Sequence, residues 1–136
     1  MSATDAISKI EAIFGFMLPR DYREFLGRWT DDLLEPSLQI SLGHVTPGGD
    51  NAQVDGLHTA DQILANEAQD ASCDATAQML IIGYSLMGGY LYMSYAPSTL
   101  GQIYFREPFV ASTYYRVADS FSEFQALSYP AVDDLS

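Results

Sequence analysis

The stretch from Met79 to Phe105 constrains this chain more than any other. Met79-Leu80-Ile81-Ile82 is a short continuous apolar run, the pattern of a strand covered on both faces. Gly83-Tyr84-Ser85-Leu86-Met87-Gly88-Gly89 breaks it, with three glycines available for backbone angles that other residues avoid. Tyr90-Leu91-Tyr92-Met93-Ser94-Tyr95 resumes as a two-faced strand. Tyr90, Tyr92 and Ser94 share one face; Leu91, Met93 and Tyr95 share the other. Ala96 to Gly101 is rich in turn formers, and Gln102-Ile103-Tyr104-Phe105 returns as a third strand, stopped by Pro108. Strands joined by such short loops make an antiparallel meander, which must be covered by helices or a second layer on its apolar face.

The flanking segments supply that cover. Ser2-x-x-Asp5 can cap a helix through Ile7, Ile10, Ile13 and Phe14, with Gly15 closing it. Pro19 suits the first turn of a second helix, in which Tyr22, Phe25, Leu26 and Trp29 form one apolar stripe. Arg20, Glu24 and Arg28 are spaced for ion pairs on its polar side. Thr30 to Pro36 reads as a break, Leu38 to Leu42 as a half-buried strand and Thr46 to Asn51 as a loop. Thr59-x-x-Gln62 is a capping box opening a helix through Ile63, Leu64 and Ala68; Ala71 to Gln78 reads as loop. Tyr114 to Val117 suggests a further strand. Ser120-x-x-Glu123 opens a last helix with Phe121, Phe124 and Leu127 facing the sheet, ended by Pro130. The expected architecture is therefore α+β: one domain over residues 1–136, a central antiparallel sheet flanked by N-terminal and C-terminal helices, and a short acidic tail from about residue 130.

Charge narrows the choice of partner. The chain carries 18 acidic and 6 basic residues, a net charge of −12. From Trp29 through Phe105 there is no Lys or Arg, while the same span holds Asp31, Asp32, Glu35, Asp50, Asp55, Asp61, Glu67, Asp70 and Asp74. Such a field repels nucleic acid and anionic membrane and attracts a basic protein. An acidic surface also serves solubility whatever the chain binds. No apolar run approaches the roughly 18 residues of a membrane span. The N-terminus lacks a basic region followed by an apolar core, and the single Cys73 cannot make an internal disulfide; both fit a reducing cytoplasm.

With these pieces in order, the chain resembles the SUKH superfamily, which includes yeast cell-wall synthesis regulators and many bacterial immunity proteins. The matching residues are Gly15-x-x-Leu18-Pro19-x-x-Tyr22-x-x-Phe25-Leu26, then Ile82-Gly83 with Gly88-Gly89-Tyr90-Leu91, then Gly101 to Phe105, and finally Val117 to Phe124. The chain departs from many members after the second helix, where Trp29-Thr30-Asp31-Asp32 stands in place of an Asn-Gly-Gly-like turn. The resemblance implies a six-stranded or similar antiparallel sheet flanked by helices. It also implies a binding role without catalysis, most often neutralisation of a toxin.

Motifs for chemistry are missing. His44 and His58 show no metal-ligand spacing. Asn51-x-Gln53-x-Asp55-Gly56 echoes a calcium loop but lacks its final glutamate. Cys73 lies beside Asp70 and Asp74 with no nearby cation, an environment that suppresses a thiolate. The Gly83 and Gly88-Gly89 turn has no following lysine for a phosphate. The expectation is no catalytic residue, no metal and no cofactor. The function expected is that of an immunity protein occluding a basic, nucleic-acid-acting toxin, with Asp31, Asp32, Glu35, Asp50, Asp55 and Asp61 as the acidic surface and Tyr84 as an anchor. A non-catalytic scaffold or regulatory module, a small-molecule-binding domain, and self-association through a sheet edge are the alternatives.

Overall fold

Ala6, Ile7 and Ile10 give the first helix a single buried stripe, and this stripe sets where the core begins. A computed structural model describes residues 3–29, 33–46, 49–68, 73–74, 77–86, 88–106 and 114–130; side chains at 3, 33–37, 41–46, 49–50, 68, 73–74 and 129–130 lie outside the description. Helix α1 spans Ala3–Phe14 and ends at Gly15, whose φ of +74° only glycine adopts freely. The proposed Ser2 cap lies outside the described residues. Ile13, expected on the buried stripe, is 48% exposed.

Helix α2 (Arg20–Leu26) starts after Pro19, as expected, but ends at Gly27, so Trp29 lies beyond it. Trp29 nevertheless stays on the apolar side: its ring stacks on Phe25 at 5.0 Å and its indole N–H donates to the Leu57 carbonyl. Arg20 pairs with Glu24 at 3.1 Å on an exposed surface, where such a pair adds little. Helix α3 (Ala60–Ala68) and helix α4 (Phe121–Leu127) both begin at the capping residues read from sequence. Thr59 Oγ1 accepts the Gln62 N–H at 3.1 Å, and Ser120 Oγ accepts the Glu123 N–H at 3.1 Å. Phe121 and Phe124 are fully buried; Leu127 is 53% exposed.

The strands are β1 (Leu33–Thr46), β2 (Gly49–Leu57), β3 (Cys73–Asp74), β4 (Met79–Tyr84), β5 (Tyr90–Ser94), β6 (Ile103–Arg106), β7 (Tyr114–Ala118) and β8 (Tyr129–Pro130). They form one antiparallel sheet in the order β7-β6-β5-β4-β2-β1-β8, with β3 beside β4. Six of these strands have four or more residues; β3 and β8 are two-residue additions. The architecture is α+β, as expected. The sheet curls strongly, because β1 and β7 come back within 8 Å of one another (Cα–Cα) despite standing far apart in that order.

Two sequence expectations fall short here. The strand read as Leu38 to Leu42 runs from Leu33 to Thr46, and the loop after it gives way to a second strand, making a β1–β2 hairpin with Thr46 opposite Gly49. The alternation in β2 is real but quiet: Ala52 and Val54 are buried while Asn51 and Gln53 are exposed. Only one of the two inward residues is large, and polar neighbours hide the pattern.

One core joins all four helices to one face of the sheet. Ile10, Leu26, Ile63 and Phe124 meet Ile40, Val54, Leu80, Leu91, Met93 and Ile103 there. Burying such aliphatic side chains contributes roughly 1.5–3 kcal/mol each. The opposite face of the sheet is therefore the surface to examine.

A tyrosine face and its groove

Strand register decides what that second face carries. In β4 and β5, Ile81 pairs with Tyr92, Gly83 with Leu91 and Tyr84 with Tyr90. Ile82 is thus an extra residue, a β-bulge, and it points into the core with 1% exposure. Without the bulge, Ile81 and Tyr84 would point to opposite faces. With it, both join Tyr90 and Tyr92. The pairing of β5 with β6 sets Tyr92 against Tyr104 and Tyr90 against Arg106, and that of β6 with β7 sets Arg106 against Tyr114.

The result is a continuous aromatic face. Tyr92 meets Tyr90 at 6.4 Å and Tyr114 at 5.0 Å between ring centroids, both edge-to-face, the arrangement aromatic quadrupoles favour. Tyr104 reaches Tyr114 at 6.4 Å. Arg106 lies over the Tyr114 ring at 5.0 Å and donates to its hydroxyl at 3.1 Å. Tyr92 is buried among its neighbours, whereas Tyr90 is 45% exposed.

At the β4 end this face runs into a groove of about 450 Å3, lined by His58, Asn66, Ile81, Tyr84, Ser85 and Tyr90. It lies where β2 leaves β4. Gly56 pairs with Tyr84 and Leu57 with Gly83; the His58 N–H then donates to the Ile82 carbonyl at 2.8 Å before the chain enters α3. Gly56 places no side chain beside Tyr84 on that flank. Gln62 donates its amide N–H to Asn66 Oδ1 at 3.1 Å, which turns the Asn66 amide nitrogen toward His58 Nδ1 at 3.4 Å. The imidazole lies 5.6 Å from the Tyr84 ring.

The β4–β5 turn that forms one wall is tightly held. Ser85 N–H donates to the Gly89 carbonyl at 2.8 Å, and Gly88 N–H to the Ser85 carbonyl at 2.9 Å. Only Gly88, with φ of +107°, uses the conformational freedom expected of all three glycines. Gly83 and Gly89 are needed for space instead. A Cβ on Gly83 would stand 2.7 Å from the Gly56 carbonyl oxygen, and one on Gly89 would strike the Phe105 ring.

The acidic residues singled out in sequence do not form one cluster among the described residues. Asp31 and Asp32 lie outside the described residues; Glu35 and Asp50 fall on β1 and β2, but their side chains are not described. Asp61 is exposed on the first turn of α3. Asp55 is 3% exposed and faces inward, accepting the Leu86 N–H at 2.7 Å and the Gln53 amide at 2.9 Å. Tyr84 is half-buried at the groove. Tyr104, Arg106 and Tyr114 were not singled out, because only strand pairing brings them to Tyr90 and Tyr92. Among the described residues, no group of three or more His, Cys, Asp or Glu side chains is placed to hold a metal ion.

A curled antiparallel sheet with helices packed on one face and tyrosines on the other defines a small α+β protein. The chain belongs to the SMI1/KNR4 family (SUKH-1), whose family model matches residues 2–126. No curated protein matches the chain. No described helix is long and apolar enough to cross a membrane.

Proposed function

We propose that this protein is an immunity protein: it binds a cognate toxin and neutralises it by occlusion, without catalysis of its own. The observation that carries this reading is the tyrosine face, on which Tyr90 is 45% exposed, in a family associated with protein partners. Tyrosine buries a large rigid area at little entropic cost and keeps its hydroxyl paired, which is why it recurs at the centres of binding interfaces. Six basic against eighteen acidic residues give the approach surface a field that draws in a cationic partner, such as a nuclease whose groove expects phosphates. Charge then speeds encounter, and the aromatic face slows release.

The experiment is co-expression. Cells expressing a basic product of a gene neighbouring this one are grown with and without the immunity candidate, and any complex is captured at low and high salt. Rescue of growth with a stable complex is the expected result. Failure to rescue or to bind any neighbouring gene product overturns the reading in favour of a scaffold or regulatory module.

A further inference from the structure

The groove beside Tyr84 has a definite chemistry. Tyr84 and Tyr90 stand directly opposite one another across β4 and β5, and both line the groove together with Ile81, His58 and Asn66. Two tyrosine rings at a groove offer negative π-faces to a cation. The lining itself holds no Lys, Arg or carboxylate. Every residue lining it comes from the span between Trp29 and Phe105, which has no Lys or Arg and nine carboxylates. Helix α3, which brings Asn66, also carries Asp61 and Glu67 and no cation. The nearest described arginine on this face, Arg106, is paired across from Tyr90 on β6 and turned to Tyr114. An anion would find no Lys or Arg in the groove lining to hold it.

We infer that this groove is a receptor for a single arginine side chain of the partner. The guanidinium stacks on the Tyr84 and Tyr90 rings, its N–H groups reach oxygen atoms of the lining, and its alkyl stem covers Ile81. The inference rests on the toxin-binding reading above and names what that partner must present: an exposed arginine on a basic surface.

The test uses the full chain labelled with 15N and titrated with N-acetyl-arginine methylamide, against its neutral isostere N-acetyl-citrulline methylamide. Saturable shifts at the Tyr84, Ser85, Gly88 and Tyr90 amides are expected with arginine, and binding weaker by about fivefold or more with citrulline. Tyr90→Leu, at an exposed position, weakens the arginine response, whereas Tyr90→Phe, which keeps the ring face, preserves it. Equal response to both probes, shifts confined to other surfaces, or full arginine binding by Tyr90→Leu overturns the inference. Growth rescue by the toxin assay is scored separately, so a negative titration removes the arginine receptor while leaving the neutralisation result to stand or fall alone.

Discussion

The carboxylate of Asp55 accepts the backbone N–H of Leu86 at 2.7 Å, across 31 positions of sequence. Its other oxygen accepts from the Gln53 amide. A side chain that would be read as part of an acidic surface is thus an internal brace: it fixes the β4–β5 turn that walls the groove, from the neighbouring strand β2.

Asp55→Ala removes both bonds and leaves the Leu86 N–H without this acceptor. A charged hydrogen bond of this kind contributes roughly 1.5–3 kcal/mol, so urea unfolding is expected to show a loss of about that size. Asp55→Asn keeps one carbonyl acceptor and is expected to lose less. A loss of partner affinity with no change in unfolding midpoint would return Asp55 to a binding surface.

Gly83→Ala tests the close approach of β2 to β4. The added methyl would meet the Gly56 carbonyl oxygen at 2.7 Å and the Leu57 side chain at 3.0 Å. Backbone cannot step aside cheaply, and overpacking of this kind costs about 1–3 kcal/mol. The variant is expected to unfold at lower urea, with its largest amide shifts at Gly56, Leu57 and Tyr84.

Tyr22 is fully buried and its hydroxyl has no hydrogen-bond partner among the described residues. Tyr22→Phe removes that unsatisfied group and keeps the ring stacked on Phe25 and tilted against Phe121. Stability is expected to rise, by about 1 kcal/mol. Burial also pushes the Tyr22 phenol well above its ordinary range. In the unfolded chain the phenol ionises near pH 10, so above that value the unfolded state binds fewer protons than the native one, and stability falls as pH rises. Wild type is expected to lose stability from about pH 10 upward, and Tyr22→Phe to lose less. Identical alkaline profiles would show that Tyr22 is not the responsible group.

Ser120→Ala removes the cap of α4, whose Oγ accepts the Glu123 N–H at 3.1 Å. A loss of about 1 kcal/mol in unfolding free energy is expected. Ser120→Asp, which restores an acceptor, is expected to recover most of it.

Features that need only a few neighbouring residues were legible in the sequence. Thr59 and Ser120 are side-chain caps in short motifs, and Gly15 ends α1 by a local backbone angle. The meander was legible because Leu91, Met93, Ile103 and Phe105 keep strict alternation. What stayed hidden depends on pairing between distant residues. The bulge at Ile82 lies in a run of four apolar residues, in which nothing marks the extra one. The tyrosine face follows from that register: Tyr84 is the one tyrosine named as an anchor from sequence, whereas its counterpart Tyr90 stands on β5, Asn66 on α3 and His58 in the connection between β2 and α3. Asp55 was misplaced for a similar reason, since net charge says nothing about which carboxylates point inward.

One contact has a consequence for how the chain is made. Asp21, in the first turn of α2, accepts both the backbone N–H of Ser122 at 2.8 Å and its hydroxyl at 2.9 Å, joining positions 101 residues apart. Tyr22 and Phe25 meet Phe121 at the same junction. During synthesis, α2 leaves the ribosome long before its partner exists, and its aromatic side stays open to solvent or to chaperones until α4 follows. Completion of the helical layer therefore waits until α4 has been translated, and a truncation before Phe121 would leave a chain with the meander already made and no partner for the aromatic side of α2.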